Sequence, residues 1–184
     1  MRTTMTTVFG LLGLSSTVVA DLYIFQVTAT AMDEGGLEVG HPINIFSSPP
    51  SCNDVNNAIN IFSVNNDASK GGFVCDGCNE GSILDWTITR FEMYDGPNAI
   101  GAATSSPVSL TTGAVGHITL RPNGDHYNLV WVSLDGNSQG IRGTCQRPAQ
   151  AGREAQTFQC FQGIGGSSGI ELFHCTTDLR SNAG

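Results

Sequence analysis

Basic residues are scarce in this 184-residue chain, which has eight Lys and Arg against sixteen Asp and Glu. Only one of the eight is a lysine, Lys70. Proteins hold nucleic acids and anionic membrane surfaces with clusters of basic side chains. The composition therefore predicts that neither nucleic acid nor membrane is a partner. We attribute the excess of acidic residues to solubility.

The sequence also has no long apolar run and no set of residues with the spacing of a known catalytic site. No stretch approaches the roughly 20 apolar residues of a membrane-spanning helix, and no long amphipathic helix can be traced. The histidines are scattered, so neither a Ser–His–Asp set nor a pair of His ligands can be argued. We predict no catalytic residue, no metal and no cofactor. The four histidines are His41, His117, His126 and His174.

The first twenty residues have the three parts of a secretory signal peptide. Arg2 is the positive start, residues 8–14 are a short apolar stretch, and residues 18–20 provide the small side chains needed for cleavage. We predict a signal peptide over 1–20, cut before Asp21, and a single secreted, extracellular domain over 21–184. The mature chain would carry seven basic and sixteen acidic residues, a net charge of −9.

Six cysteines follow the predicted leader. An even number in an exported chain indicates a disulfide framework rather than thiol chemistry. Three of them stand two residues after a phenylalanine. Side chains two apart on a strand share a face, so each Phe and its Cys should point into one core. The cysteines are Cys52, Cys75, Cys78, Cys145, Cys160 and Cys175, and the Phe-x-Cys pairs begin at Phe73, Phe158 and Phe173.

Spacing alone leaves the disulfide connectivity open, because six cysteines allow about fifteen pairings. Cys145 and Cys160 flank a predicted hairpin with its loop, so their Cβ atoms could approach the roughly 4 Å that a bridge needs. We hypothesise that these two are paired. The other four cysteines would then form two further bridges.

Alternating apolar and polar residues predict β-strands along most of the second half of the chain. An Asn-Gly turn is expected at 122–125, and the strand that follows is apolar on both faces, as in the centre of a sheet. A glycine-rich turn is expected at 163–169. Earlier, Ser51 can cap a short helix over 53–58. The strands are expected at 22–31, 115–121, 126–134, 139–146, 155–162 and 170–177.

Short strands at this spacing, separated by turns, predict an all-β fold. We expect a single disulfide-stapled β-sandwich or β-barrel of antiparallel strands, with at most one or two short helices. In the strand at 139–146, Ile141, Gly143 and Cys145 should share one face.

Three short motifs imitate functional sites. Cys75 and Cys78 have the CxxC spacing of a thiol oxidoreductase, but the motif ends a strand instead of opening a helix, so structural cysteines fit better. Residues 165–169 match the nucleophile elbow G-x-S-x-G, yet a strand should follow, and a flexible turn is expected. Residues 135–140 begin like a calcium loop, but Gln146 stands where a bidentate Glu is required, which favours a hairpin turn.

Two groups of residues bear on carbohydrate chemistry. Trp86 and Trp131 could each stack on a sugar ring, but Trp131 lies in an apolar strand and should be core, which leaves Trp86 as the possible glycan contact. Any acidic protein offers pairs of carboxylates for glycoside hydrolysis, and no β-jelly-roll glycosidase motif marks a pair. The candidates are Asp85, Glu92, Asp95 and Glu171.

Three segments give the chain a likeness to a known class of proteins: SCNDVNN at 51–57, FVCDGC at 73–78 and QGIRGTC at 139–145. With the leader, they resemble the small cysteine-rich secreted proteins of filamentous fungi. The resemblance is a general one that extends over the mature chain, and it identifies no functional site. It implies an effector-like role, since many such proteins act on a host or a competitor.

Two hypotheses about function follow. The first is a secreted, non-enzymatic, effector-like protein whose disulfide-stapled scaffold presents loops to an extracellular partner. The alternative is a cell-wall glycan-binding module or a small glycan-acting hydrolase. The partner is then an unknown extracellular protein or a glycan, and the oligomeric state stays open.

Overall fold

The computed structural model describes residues 20–33, 36–57, 61–62, 72–76, 82–95, 116–133, 137–162 and 165–178. Within these ranges the strands pair antiparallel, and one α-helix and one 3-10 turn accompany them, so the all-β prediction is confirmed. In chain order the elements are β1 (Ala20–Asp33), β2 (Gly36–Gly40), β3 (Pro42–Phe46), α1 (Cys52–Asn57), β4 (Ile61–Phe62), β5 (Gly72–Asp76), the 3-10 turn (Ile83–Asp85), β6 (Thr87–Asp95), β7 (Gly116–Asn123), β8 (His126–Ser133), β9 (Ser138–Gln146), β10 (Thr157–Gln162) and β11 (Gly165–Thr177).

The described strands belong to one sheet that curls nearly closed, like a barrel. The path through it runs β4-β3-β1-β11-β9-β8-β7-β6-β5, with β2 added beside β1 and β10 beside β11. Strands far apart on this path share one core: Ile43 of β3 packs in the same cluster as Phe73 of β5. A flat open sheet would keep these two side chains apart, so the sheet must be curled.

β8 lies in the interior of the curled sheet, hydrogen-bonded to β7 on one side and to β9 on the other. Leu129 and Trp131 point into the main core, whereas Val130 and Val132 are buried on the opposite face. A strand with both faces buried is expected to be apolar on both, and residues 129–132 of β8 form such a continuous apolar run. Two predictions are confirmed: the strand is central, and Trp131 belongs to the core.

Two clusters of buried side chains lie on opposite faces of the sheet. The main core, inside the curl, includes the Phe-x-Cys pairs at 73–75 and 173–175. The third pair, at 158–160, belongs to a second core outside the curl. Each Phe therefore shares a core with its Cys, as the strand period predicts. The second core consists of Phe25, Val27, Phe46, Val55 and Cys160, with Tyr23 and Phe158 packed against it.

The helix α1 covers the second core with Val55. It begins at Cys52, close to the predicted start, and Ser51 caps it. The Asp54 amide donates to Ser51 Oγ at 3.4 Å, while the Ser51 amide and hydroxyl donate to the Asp54 carboxylate at 2.8 and 2.7 Å. This reciprocal pair is a capping box with Asp in the place of Glu. The hydrogen bonds from Ser51 lower the pKa of Asp54.

Two disulfides are described in full, Cys52–Cys160 and Cys145–Cys175. The hypothesis that pairs Cys145 with Cys160 is therefore wrong. It assumes a hairpin of β9 and β10, but β9 pairs with the end of β11 and β10 with its beginning. The two strands lie against different parts of β11, so their cysteines are held apart along it. Cys145 instead faces Cys175 directly across the β9–β11 pair.

The glycine-rich segment predicted as a turn is strand where it is described. β11 begins at Gly165 and runs between β1 and β10, so residues 166–169 are paired on both sides. The reason lies in a neighbouring strand. The Phe158 ring lies over Gly169, where an added Cβ would come within 2.2 Å of the ring. Glycine makes room there for an aromatic side chain of the second core, which no local pattern reveals.

β9 departs from the expected alternation at a β-bulge. Gly143 pairs with Leu129 and Ile141 with Val130, so two steps along β9 match one step along β8. The bulge turns Ile141 outward, 61 % exposed, instead of onto the face of Cys145. The predicted shared face is therefore wrong for Ile141.

Gly143 stands where β9 passes close to β11. A Cβ on it would lie 2.3 Å from the Thr176 carbonyl oxygen and 2.8 Å from the Thr177 Cα. These are backbone atoms that cannot rotate away, so we expect Gly143→Ala to lower the free energy of unfolding by about 1–3 kcal/mol. Denaturant unfolding measures the change. Thr144→Ala, at an exposed position of the same strand, is the control and should stay within about 0.5 kcal/mol; equal stability of the two variants would contradict the expectation.

β1 and β11 extend past the barrel. Beyond the stretch where they pair with β3 and β9, they are joined on their outer edges by β2 and β10. The result is a four-stranded extension in the order β2-β1-β11-β10. The second core covers one face of this extension, and the opposite face continues the inner wall of the barrel.

Candidate functional site

The inner face of β1 changes character where the strand leaves the main core. Leu22 and Ile24 are buried in that core, and the next side chains on the same face are Gln26, Thr28 and Thr30, all half-buried. The alternation of a strand places these five residues on one side. Apolar side chains thus give way to amide and hydroxyl groups at the point where the core ends.

β10 and β11 continue this polar face across the extension. Cross-strand partners in an antiparallel sheet point to the same side, so the register arranges residues of β10, β11 and β1 in rows. One row is Phe161, Gly166 and Thr30, and the next is Gln159, Ser168 and Thr28. A third row is Thr157, Ile170 and Gln26, in which Ile170 packs against the main core. We call the first two rows together with Thr157, seven residues in all, the hydroxyl face.

Phe161 is the largest side chain of the hydroxyl face. It is 85 % exposed, whereas Phe158 and Cys160 of the same strand turn to the second core. A Cβ built on Gly166 would lie 3.7 Å from Phe161 Cδ1, so the ring stands beside the space that this glycine leaves open. Full burial of a phenylalanine contributes about 1.5–3 kcal/mol. A ring left this open adds little to the fold and is available for contact.

Hydrogen bonds hold two hydroxyl groups of this face in place. Thr30 Oγ1 donates to the Gly166 carbonyl oxygen at 3.0 Å and accepts from the Gly166 amide at 3.2 Å. Thr28 Oγ1 lies 3.2 Å from Nδ1 of His41, which is exposed between β2 and β3. These groups are therefore ordered in the free protein, which reduces the entropic cost of binding.

The hydroxyl face carries no formal charge, although the chain has a net charge of −8. Its polar groups are the hydroxyls of three threonines and one serine and the amide of Gln159. Neutral donors and acceptors bind through short-range hydrogen bonds, which salt screens far less than it screens exposed charge pairs. The face itself thus offers no charge to a ligand, and only the net negative charge of the whole chain acts on a charged one.

Glu171, one of the candidate carboxylates, is fully buried and bound to Arg153. Arg153 Nη1 donates to Glu171 Oε2 at 2.7 Å, Nη2 donates to Oε1, and the Gln156 amide donates to Oε2 at 3.1 Å. The hydrogen bonds to Glu171 raise the pKa of Arg153. This pair fastens the turn at 148–153 to β11, and it places the carboxylate out of reach of a substrate.

The other candidate carboxylates lie on different elements. Glu92 of β6 is buried, with its Oε1 3.4 Å from Arg90 Nε. Asp85 is exposed in the 3-10 turn, and the side chain of Asp95 lies outside the described residues. Glycoside hydrolysis needs two carboxylates that flank one bound sugar. Glu92 and Glu171 are buried on separate strands and do not form such a pair.

A small titratable cluster lies where β1 and β11 meet. The His174 ring stacks on Tyr23 with 4.5 Å between centroids, and His174 Nε2 is 3.2 Å from Asp21 Oδ1. Burial, assisted by the carboxylates of Asp21 and Glu171, raises the pKa of Tyr23. These contacts join the two strands on the face of the second core. The remaining histidines lie on other elements: His41 before β3, His117 on β7 and His126 on β8.

Trp86, the glycan contact suggested by the sequence, is half-buried. Its ring packs edge-on against Phe73 with 6.5 Å between centroids, and its carbonyl oxygen accepts from Arg147 Nη1. Arg147 also donates to the Ile83 carbonyl oxygen at 2.7 Å and lies over the Phe173 ring at 5.9 Å. Trp86 is thereby tied to the main core, and its contact with a glycan stays a prediction.

The remaining motifs have structural roles where they are described. Ser167 lies inside β11, paired on both sides, and not at a strand-to-helix elbow. Cys75 is buried and disulfide-bonded, while Cys78 and residues 135–136 of the calcium-like motif lie outside the described residues. In the part of the chain that the structure describes, no group of three or more His, Cys, Asp or Glu could hold a metal ion. No helix in that same part is long and apolar enough to cross a membrane.

Sequence reasoning misses the hydroxyl face, although two signals for it are present. Phe161 directly follows Cys160, so strand alternation places it on the face opposite to the core pair. In β1, Thr28 and Thr30 follow Leu22 and Ile24 on one face. Neither signal shows that this face is open, because that depends on how far β1 and β11 extend past the barrel.

No protein-family model, no curated protein and no solved structure matches the chain. Function therefore has to follow from the chemistry of the described residues.

Proposed function

We propose that this chain is a secreted, non-enzymatic protein, effector-like in its role, that binds an extracellular partner with its disulfide-stabilised sheet. The observation that carries the proposal is the hydroxyl face with Phe161 at 85 % exposure. Two of its hydroxyl groups are held by hydrogen bonds, four of its side chains are exposed, and it lies outside both cores. Among the described apolar side chains that are exposed, Phe161 is the most open, and it has hydroxyl and amide groups on its own face of the sheet.

Three features support an extracellular setting. The first twenty residues read as a signal peptide, the described cysteines are joined in disulfides, and such bonds persist in oxidising compartments. β1 begins at Ala20, next to the predicted cleavage before Asp21.

The effector-like role is supported by the resemblance to small cysteine-rich secreted proteins of filamentous fungi. A protein of that kind works among extracellular proteases, where a disulfide adds about 2–4 kcal/mol of stability. A role in binding also requires no catalytic set, which agrees with the use of Glu171 in an internal ion pair.

Infiltration of the purified, oxidised protein into plant tissue tests the role. We expect a host response to the folded protein and none after heating with reductant, because the response would depend on the folded surface. Phe161→Ala should weaken the response, since it removes the ring without touching either core. Ile141→Ala truncates another exposed apolar side chain, 61 % exposed on β9, and should leave the response unchanged. A folded protein without effect on plant tissue or on a competing microbe would contradict the proposal.

A glycan-binding module is the second candidate, and the same face favours it through its uncharged hydroxyl and amide groups. A glycan-acting hydrolase receives less support. Two of its candidate carboxylates, Glu92 and Glu171, are buried and engaged by arginines.

A further inference from the structure

We infer that the hydroxyl face binds an uncharged polysaccharide chain. This inference rests on the proposed function, because it assumes that the protein binds an extracellular partner. What is added is the chemical class of the ligand and the residues that contact it. Phe161 would stack on a sugar ring, and Gln159, Ser168 and Thr157 would bind the sugar hydroxyls.

The chemical groups of the face match those of a sugar ring. A pyranose presents C–H groups on its flat sides and hydroxyls at its edge. The face of an aromatic ring carries partial negative charge and attracts weakly positive C–H groups, and Phe161 offers such a ring at 85 % exposure. A hydroxyl both donates and accepts, and an amide provides donors and an acceptor. Gln159 and Ser168, both exposed, supply these groups in the row next to the ring, and the exposed Thr157 lies about 13 Å from it along β10.

The absence of charge on the face selects an uncharged ligand. Acidic polymers would be repelled by a chain with a net charge of −8. Cationic polymers bind through carboxylates, and the seven residues of the hydroxyl face include none. A neutral glycan leaves no charge unpaired on either side of the contact, so it avoids the cost of burying one.

The dimensions of the face suit an extended chain. Neighbouring strands lie about 4.8 Å apart, so the three strands of the rows span about 10 Å, and the four steps from Thr157 to Phe161 cover about 13 Å. A stable protein interface needs about 800 Å² per partner with an apolar, aromatic centre. One aromatic ring among hydroxyl and amide groups does not provide that centre. A sugar chain is therefore the better-fitting occupant than a protein or a second copy of this chain.

Pull-down on insoluble cellulose, chitin and β-1,3-glucan tests the inference with the full mature protein. We expect retention on at least one of these neutral glycans. Retention should be unchanged in 1 M NaCl, where the screening length falls to about 3 Å, and the corresponding soluble oligosaccharide should compete. Polygalacturonate serves as the acidic control and should not retain the protein.

Variants then locate the contact. Phe161→Ala should reduce retention roughly tenfold, the loss typical of a central aromatic contact, and Gln159→Ala should reduce it less. Ile141→Ala is the matched control, and circular dichroism checks that every variant is folded. Trp86→Ala should retain binding on this inference. If Trp86→Ala abolishes retention while Phe161→Ala does not, the face is wrongly assigned.

The outcomes separate this inference from the proposed function. No retention on any neutral glycan overturns the polysaccharide ligand, while a host response to the folded protein would still support an effector-like role. Retention that depends on Phe161 without a host response supports the ligand and counts against that role. A dimer that becomes monomeric on Phe161→Ala, with no glycan bound, would show that a second copy occupies the face and would overturn the inference.

Discussion

Arg153→Ala is expected to lower the free energy of unfolding by about 3–5 kcal/mol, because it leaves a buried carboxylate without its partner. The Glu171 side chain is 0 % exposed, whereas that of Arg153 is 31 % exposed. Water can therefore take over part of the contact to the guanidinium but cannot reach the carboxylate. Urea unfolding, followed by its midpoint and its slope, measures the loss.

Two further variants test this explanation. Glu171→Gln leaves the partly exposed arginine in contact with water and keeps an acceptor for the Gln156 amide. We therefore expect it to lower the free energy of unfolding clearly less than Arg153→Ala does. The double variant Arg153→Met with Glu171→Gln removes both charges and should recover much of the stability, since a buried ion pair replaced by neutral groups is often tolerated. If Arg153→Ala and Glu171→Gln lower the free energy of unfolding equally, the destabilisation does not arise from the buried, unpaired carboxylate.

Removal of the Cys52–Cys160 bridge, by Cys52→Ala with Cys160→Ala, is expected to cost about 2–5 kcal/mol. The bridge joins residues 108 apart in the sequence, and a crosslink across a longer loop restricts the unfolded chain more. It also ties α1 to β10, so its loss should loosen the cover of the second core. Thermal and denaturant unfolding in the absence of reductant measure the effect.

The control for this prediction is the wild-type protein unfolded with reductant, which should lose at least as much stability as the variant. Peptide mapping without reduction should show Cys52 linked to Cys160 and Cys145 linked to Cys175. A linked Cys145–Cys160 peptide would show that the described connectivity is wrong, and an unchanged unfolding midpoint in the variant would show that the bridge adds nothing.

Features that depend on neighbours in the sequence can be predicted. β8 is recognisable because its apolar residues occupy both faces, and the cap of α1 is recognisable because Ser51 stands just before the predicted helix. The same holds for the Phe-x-Cys pairs, whose common face follows from the strand period alone.

Features that depend on a partner strand cannot be predicted in this way. Gly165–Gly169 reads as a turn until Phe158 is placed over it from β10. Ile141 turns outward because of the register between β9 and β8. The pairing of Cys145 with Cys175 follows from β11 returning beside β9. The exposure of the hydroxyl face cannot be predicted for the same reason, since it depends on where β1 and β11 extend beyond the main core.

The pairing of β1 with β11 sets an order on the folding of a nascent chain. Asp21, the first residue after the predicted cleavage, lies opposite Thr176, so the first described strand must wait for the last one before the barrel can close. Both fully described bridges wait as well, since each needs a cysteine at position 160 or 175. Contacts between such distant segments form slowly, so the closing of the barrel and of these two bridges belongs to the last stage of folding.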